Sequence, residues 1–289
     1  MKPSHLILKS MAFAVAMSAA CMAQAAPYAY AVIAFSNLTL SGLAPGSVTG
    51  STVTTSSTAN YGSAPGQALS AGGDLTSGSD TLQAFAGPGP FPGQNNYGQA
   101  LTSTYGTRGD AQISGNLLTG LPGSTAQAVS EGNLLAAPGT TSAASTGGTT
   151  TGFSFNFSVT SPTTLTLSFQ AREIANVITT AIGDGASAQV SSSFSITGIG
   201  NGFSDIFAPD QLQAALSLSN IGTASKDSGV INLTRTFVLG AGNYQFSFLT
   251  GTQERLSANV PEPTPLVLLG IGMLGFAASR LRKNGKTGA

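Results

Sequence analysis

The sequence predicts a mainly β protein: an antiparallel, jelly-roll-like β-sandwich with an N-terminal signal peptide and one short C-terminal transmembrane helix. Three observations point there. Charge is scarce, with 11 Lys+Arg and 11 Asp+Glu in 289 residues, or 8%, against about 25% in ordinary globular domains. The chain instead holds 36 Ser, 33 Thr and 37 Gly, without the Glu, Lys and Leu that helical bundles and coiled coils place on their faces. Downstream of residue 152, apolar residues recur at every second position, the period of a strand with one buried face. A formal net charge of zero leaves no basic footprint for nucleic acid.

Residues 1–25 read as a secretory signal. Lys2, His5 and Lys9 form a basic start, and an apolar run from Met11 to Met22 follows. Ala23 and Ala25 are the small residues a signal peptidase reads, with cleavage before Ala26. A rival reading lipidates Cys21, but Ser18-Ala19-Ala20 lacks the aliphatic residue usual three positions before such a cysteine. Cleavage removes His5 and Cys21, the one histidine and the one cysteine of the sequence. Disulfides, thiolate or imidazole metal sites, and Ser-His-Asp or Cys-His relays are thereby excluded from the mature chain.

Residues 26–151 form a first region, rich in Gly, Ser, Thr and Ala. Residues 28–43 alternate loosely, with Tyr28, Tyr30 and Val32 against Ala29, Ala31 and Ile33, and predict a first strand. Beyond Ser41 the expectation is short strands in long loops, such as 47–55 and 111–118, with part of the region disordered. Phe85-Ala-Gly-Pro-Gly-Pro-Phe91-Pro-Gly is dense in turn residues. Gly147-Gly148-Thr149-Thr150-Thr151 reads as a junction.

Residues 152–259 carry the clearer pattern and are read as the sandwich core. Phe153, Phe155, Phe157 and Val159 alternate with Ser and Asn, Ser161-Pro162 turns the chain, and Leu165, Leu167 and Phe169 follow at the same period. This predicts a hairpin with one buried face. Val190, Phe194 and Ile196 continue the pattern, and Ile231, Leu233, Phe237 and Leu239 make another strand, with Arg235 on the same face near an edge. Gly240-Ala241-Gly242-Asn243 turns into Tyr244, Phe246 and Phe248. Segments 172–182 and 209–217 admit helix, although the β-branched Ile174, Val177, Ile178, Thr179 and Thr180 tilt the first toward strand.

Residues 260–289 are the most specific stretch. Val260-Pro261-Glu262-Pro263 leads into an uncharged run, 264–279, closed by Arg280, Arg282, Lys283 and Lys286. Sixteen residues make a helix of about 24 Å, short against the usual ~20 residues of a span, yet the cations can snorkel to the interface. The positive-inside rule places those cations in the cytoplasm and residues 26–260 outside. The order of a Pro-Glu-Pro motif, a short apolar segment and a basic cluster resembles the PEP-CTERM sorting domain of exported Gram-negative proteins. The resemblance covers residues 260–283. It implies recognition by an exosortase, an integral-membrane processing enzyme, and a setting of exopolysaccharide production and biofilm. Gly270, Gly272 and Gly275 match a dinucleotide-binding spacing, but within a membrane segment they have no strand, helix or acid to complete it.

Three functions suit the exported domain. The first is a non-catalytic envelope or matrix protein with no cofactor and no catalytic or metal residues. The second is a carbohydrate-binding module using the loop tyrosines Tyr61, Tyr97 and Tyr105. The third is a two-carboxylate glycosidase drawing on Glu173, Asp205, Asp210 and Glu254, whose carboxyls would have to lie about 5–9.5 Å apart. Asp74 and Asp80 in a Gly/Ser loop read as turn formers rather than calcium ligands. The sequons at Asn37, Asn156 and Asn232 fall in predicted strands.

Overall fold

The computed structural model describes residues 26–44, 46–74, 79–91, 93–116, 123–135 and 142–259. The signal segment, the residues from Val260 onward, and Leu117 and Leu118 of one expected strand lie outside the described residues. The chain forms β1 (Tyr28–Ser41), β2 (Val48–Tyr61), β3 (Gln67–Gly73), β4 (Ser79–Ala86), β5 (Gly106–Ser114), β6 (Ser124–Asn133) and β7 (Ser142–Val159). There follow β8 (Thr163–Thr179), β9 (Gly185–Gly198), β10 (Ser204–Phe207), a 3-10 turn at Asp210–Leu212, β11 (Ala214–Leu218), β12 (Gly222–Asp227), β13 (Ile231–Leu239) and β14 (Gly242–Asn259).

Two antiparallel seven-stranded sheets result. The first runs β12-β8-β1-β6-β5-β4, with β13 also on β8. The second runs β10-β9-β14-β7-β2-β3, with β11 also on β9. They lie face to face. Phe35 of β1 meets Phe194 of β9 and Phe248 of β14 edge-on, at centroid distances of 6.0 and 5.0 Å. Phe153, Phe155 and Phe157 of β7 stand opposite Phe248, Phe246 and Tyr244 of β14, with rings 5.2 to 5.5 Å apart. Each buried Phe contributes about 1.5–3 kcal/mol from lost water contact, so this aromatic block anchors one half of the interior.

The other half is filled by small and hydroxyl side chains. Thr55 and Ser57 of β2, Ser145, Thr149 and Thr151 of β7, and Thr250 and Thr252 of β14 are all buried. Glycines let the sheets approach there. A Cβ on Gly109 of β5 would lie 2.7 Å from the carbonyl oxygen of Gly148 and 3.0 Å from that of Thr58. The Gly/Thr-rich stretch is therefore a close-packed layer, and the texture change at 151–152 falls inside β7, which runs unbroken through it.

The loose alternation of β1 has a structural cause. Its register shifts between Phe35 and Leu38 against β6 and between Ser36 and Thr39 against β8, and Asn37 takes a left-handed φ of 54°. The bulge moves the buried set from Ala29, Ala31, Ile33 and Phe35 to Leu38 and Leu40. Before it, Tyr28, Tyr30 and Val32 face outward onto their own cluster with Val129.

Several expectations need correction. The expected hairpin over 153–169 is no hairpin: β7 belongs to the second sheet and β8 to the first, so Ser161-Pro162 carries the chain across the sandwich. The turn at 240–243 does the same between β13 and β14. Alternation reports one buried face, and two facing strands satisfy it as well as two adjacent ones. Segment 172–179 is strand, and 209–217 is the 3-10 turn followed by β11. In 41–151, β3 to β6 are short, at 7 to 10 residues; the expected strand 47–55 is part of the longer β2, with 14 residues, and the expected junction 147–151 lies inside β7, with 18.

Candidate functional site

Among the described residues, three of the six buried charged side chains, Arg108, Asp110 and Glu131, lie on β5 and β6. Paired strands alternate Arg108 and Asp110 with Thr107 and Gly109, and Glu131 with Gly132 and Ser130. Arg108, Asp110 and Glu131 thus share the outer face of the first sheet, where the β4–β5 connection covers them. Glu131 is fully buried and fully partnered. It accepts from the Tyr28 hydroxyl at 2.6 Å, from the backbone N–H of Ala100 and Leu101 at 3.0 and 3.1 Å, and from Arg108 Nε at 2.9 Å. Arg108 also donates to the carbonyls of Asn96 and Gly98 and lies 3.8 Å from Asp110. Asn133 donates to the Leu101 carbonyl at 2.6 Å, and Tyr30 to that of Tyr97 at 2.6 Å. The cluster acts as a clamp on segment 96–101. Burial pushes the Asp110 carboxyl up to about 6, against the opposing pull of Arg108 and of the Asn96 and Asn95 backbone.

Glu254 lies on the other side of the first sheet, between the two layers. It projects from β14, paired with Gly147, and is fully buried. Its Oε1 meets the Thr107 hydroxyl, while Oε2 has no hydrogen-bond partner among the described residues. A Cβ on Gly132 would sit 2.6 Å from Oε2, so only glycine leaves room for this acid. Burial pushes its carboxyl up to about 8, helped by the charge of Glu131 and opposed by Thr107 and the Gly147 backbone. Thr107 Oγ1 is also 3.3 Å from the Glu131 carbonyl and has one hydrogen to give. A protonated Glu254 donating to Thr107 satisfies both contacts.

The four acids singled out in the sequence are spread over the fold. Glu173 is buried and lies 3.3 Å from Lys226, with burial raising its carboxyl. Asp205 pairs with Arg235 at 3.2 Å, and Asp210 is exposed at the 3-10 turn. Asp205 and Glu254 stand opposite Ile196 and Ala188 of β9, eight rungs or about 26 Å apart. Among the described residues, none of the four has another of the four as hydrogen-bond or ion-pair partner. Arg235 sits on edge strand β13, as its position on the buried face anticipates, and its guanidinium lies over Phe207 and Phe237. Tyr61 and Tyr97 are half-buried; Tyr61 exchanges hydrogen bonds with Leu135, and Tyr97 packs against the outer cluster of Tyr28, Tyr30 and Val32. Tyr105 is half-buried, Asp74 closes the exposed end of β3, and the side chain of Asp80 is outside the described residues.

Sequence reasoning missed Arg108, Asp110 and Glu131. The signal was available: Arg108 is the sole cation between residues 26 and 151, and an isolated Arg two residues before an Asp puts both on one strand face.

Of the processing residues, Ala26 is described, and its backbone N donates to Thr180 Oγ1 at 3.0 Å. Ala23, Ala25, Val260, Pro261, Glu262, Pro263, Arg280, Arg282, Lys283 and Lys286 lie outside the described residues. Among the described residues no helix is long and apolar enough to cross a membrane. The family model of the PEP-CTERM protein-sorting motif matches residues 259–283. The chain therefore carries an exosortase-type sorting signal, which implies export and membrane anchoring before processing. No curated protein and no solved structure matches the chain.

Proposed function

We propose that this chain is a non-catalytic envelope or extracellular-matrix protein. A signal peptidase releases it at Ala26, the segment 264–279 holds it as a transmembrane helix, and an exosortase then processes it for the surface, beside exopolysaccharide in a biofilm. The observation that carries this reading is the sorting motif at 259–283, which follows the last rung of β14 with no linker. Support comes from the charges of the exported domain. Arg108, Arg172, Lys226 and Arg235 are committed to Glu131, Asp227, Glu173 and Asp205, and these pairs fasten loops and edges. In a host with the exosortase, changing Pro261, Glu262 and Pro263 together to Ala leaves export intact and holds the protein in the inner-membrane fraction. Processing at the normal rate would reduce the tail to an ordinary anchor.

The second reading, carbohydrate binding, is favoured by the outer face of the second sheet. Neighbouring rungs there read Ser56-Thr150-Gly251-Ser191 and Thr58-Gly148-Gln253-Gln189 across four strands. Of these, Thr150, Gly251, Ser191, Gln253 and Gln189 line a concavity of about 340 Å³. Uncharged hydroxyls and amides at that spacing suit neutral sugars. A glycan array separates the readings: binding lost in a Gln189→Ala, Gln253→Ala double variant supports the module, and an empty array removes it.

A further inference from the structure

Both ends of the exported domain leave from one pole of the sandwich. β14 ends at Asn259, whose side chain donates to the Gly183 carbonyl at 2.6 Å in the β8–β9 turn. Ala26, where the signal would be cut, donates to Thr180 of the same turn at 3.0 Å. The β11–β12 turn lies beside them, because Thr179 donates to the Asn220 carbonyl. The β2–β3 turn closes the same end, with Gly62 N–H donating to the Ala144 carbonyl at 2.8 Å.

The chemistry of this pole is unusual for a protein surface in water. Ile182 in the β8–β9 turn is 76% exposed and Ile221 in the β11–β12 turn 63% exposed. Residues 62–66, 180–183 and 219–221 contain no charged side chain. The nearest acid, Asp184, is buried and turned back to accept from Ala181 N–H at 2.9 Å. Nothing at the turn tips opposes approach to an anionic surface, and the free amine of a mature Ala26 would favour it.

Chain length then limits how far the pole can stand from the bilayer. From Asn259 to Thr264 is five residues, at most about 17 Å of extended chain. The polar layer on each side of the hydrocarbon is about 5–7 Å thick. A helix of 16 residues spans about 24 Å, less than the ~30 Å core, and draws the boundary toward the protein. We propose that this pole seats on the lipid surface of the membrane, with Ile182 and Ile221 entering the headgroup layer. This rests on the reading of 264–279 as a membrane segment. The sandwich then stands upright, its β14 axis along the membrane normal, and the Pro-Glu-Pro motif is confined between fold and bilayer, so the processing enzyme must approach laterally.

The test uses the mature chain, residues 26–289, which has no native cysteine, reconstituted in vesicles of phosphatidylglycerol and phosphatidylethanolamine. Single cysteines carry bimane at Ile182→Cys, Ile221→Cys, Ile199→Cys and Ser279→Cys. Ile199 is the control, because it is 52% exposed at the opposite pole. Lipids bearing a nitroxide at headgroup level should quench the labels at 182 and 221 and leave 199 unchanged. A ten-residue Gly/Ser insert after Asn259 should relieve the quenching at 182. Quenching at 279 with none at 182 or 221 overturns the seated pole and leaves the anchor standing. No quenching at 279 by any lipid-borne nitroxide removes the anchor and the seated pole together.

Discussion

Glu254→Gln offers the sharpest test of the interior. The acid is fully buried, with its carboxyl raised from 4.5 to about 8. The folded state therefore keeps a proton that the unfolded chain releases once the pH passes the ordinary value. The stability this group contributes is full below about pH 4.5 and is lost as pH rises toward 8. At pH 7 the solution lies about 2.5 pH units above the unfolded carboxyl's 4.5, and at about 1.36 kcal/mol per unit the cost of keeping the proton is about 3 kcal/mol. Glutamine keeps the shape of the neutral acid and cannot ionise. Urea unfolding of the purified exported domain, residues 26–259, should show the variant matching the wild type at pH 4 and exceeding it by about 2–3 kcal/mol at pH 7. Asp110 titrates in both proteins and cancels in the difference. A difference that does not change with pH, or a variant weaker than wild type at pH 7, would refute the buried neutral acid.

Three further outcomes follow from the same geometry. Arg108→Met leaves Glu131 and Asp110 buried without their cation and should cost about 3–5 kcal/mol; segment 93–101 should become the first site of limited proteolysis. Gly109→Ala forces a methyl against the Gly148 and Thr58 carbonyls and should destabilise by about 1–3 kcal/mol, read as a lower thermal midpoint. Phe35→Ala opens a cavity where the two sheets meet and should cost about 3–5 kcal/mol, whereas Leu249→Ala, 51% exposed on the outer face, should change stability by less than about 1 kcal/mol.

The strands with large alternating side chains were legible, from Phe153 to Phe169 and from Ile231 to Phe248, because period two survives in one sequence. Their pairing was not. Nothing local distinguishes a partner beside a strand from one across the core, and both tight turns in these stretches lead to the opposite sheet. The first region was misread for a different reason. Thr, Ser and Gly between residues 142 and 152 look like a linker by composition, yet Gly109, Gly132 and Gly147 are what permit close sheet approach and a buried acid. β1 hid its pattern behind a one-residue bulge around Asn37. The ion pairs were the least legible part, since Arg108 meets Glu131 only once β5 pairs with β6. The sorting motif stood apart from all of this, because it is local and its order of Pro-Glu-Pro, apolar run and cations is readable without a fold.

The mass of the mature protein recovered from the surface or medium of a host with the exosortase tests the central claim most directly. The account predicts an N-terminus at Ala26 and a C-terminus upstream of the apolar run 264–279, with the unprocessed chain confined to the inner membrane when the exosortase is absent. A surface protein that retains its mass through Ala289 would contradict it.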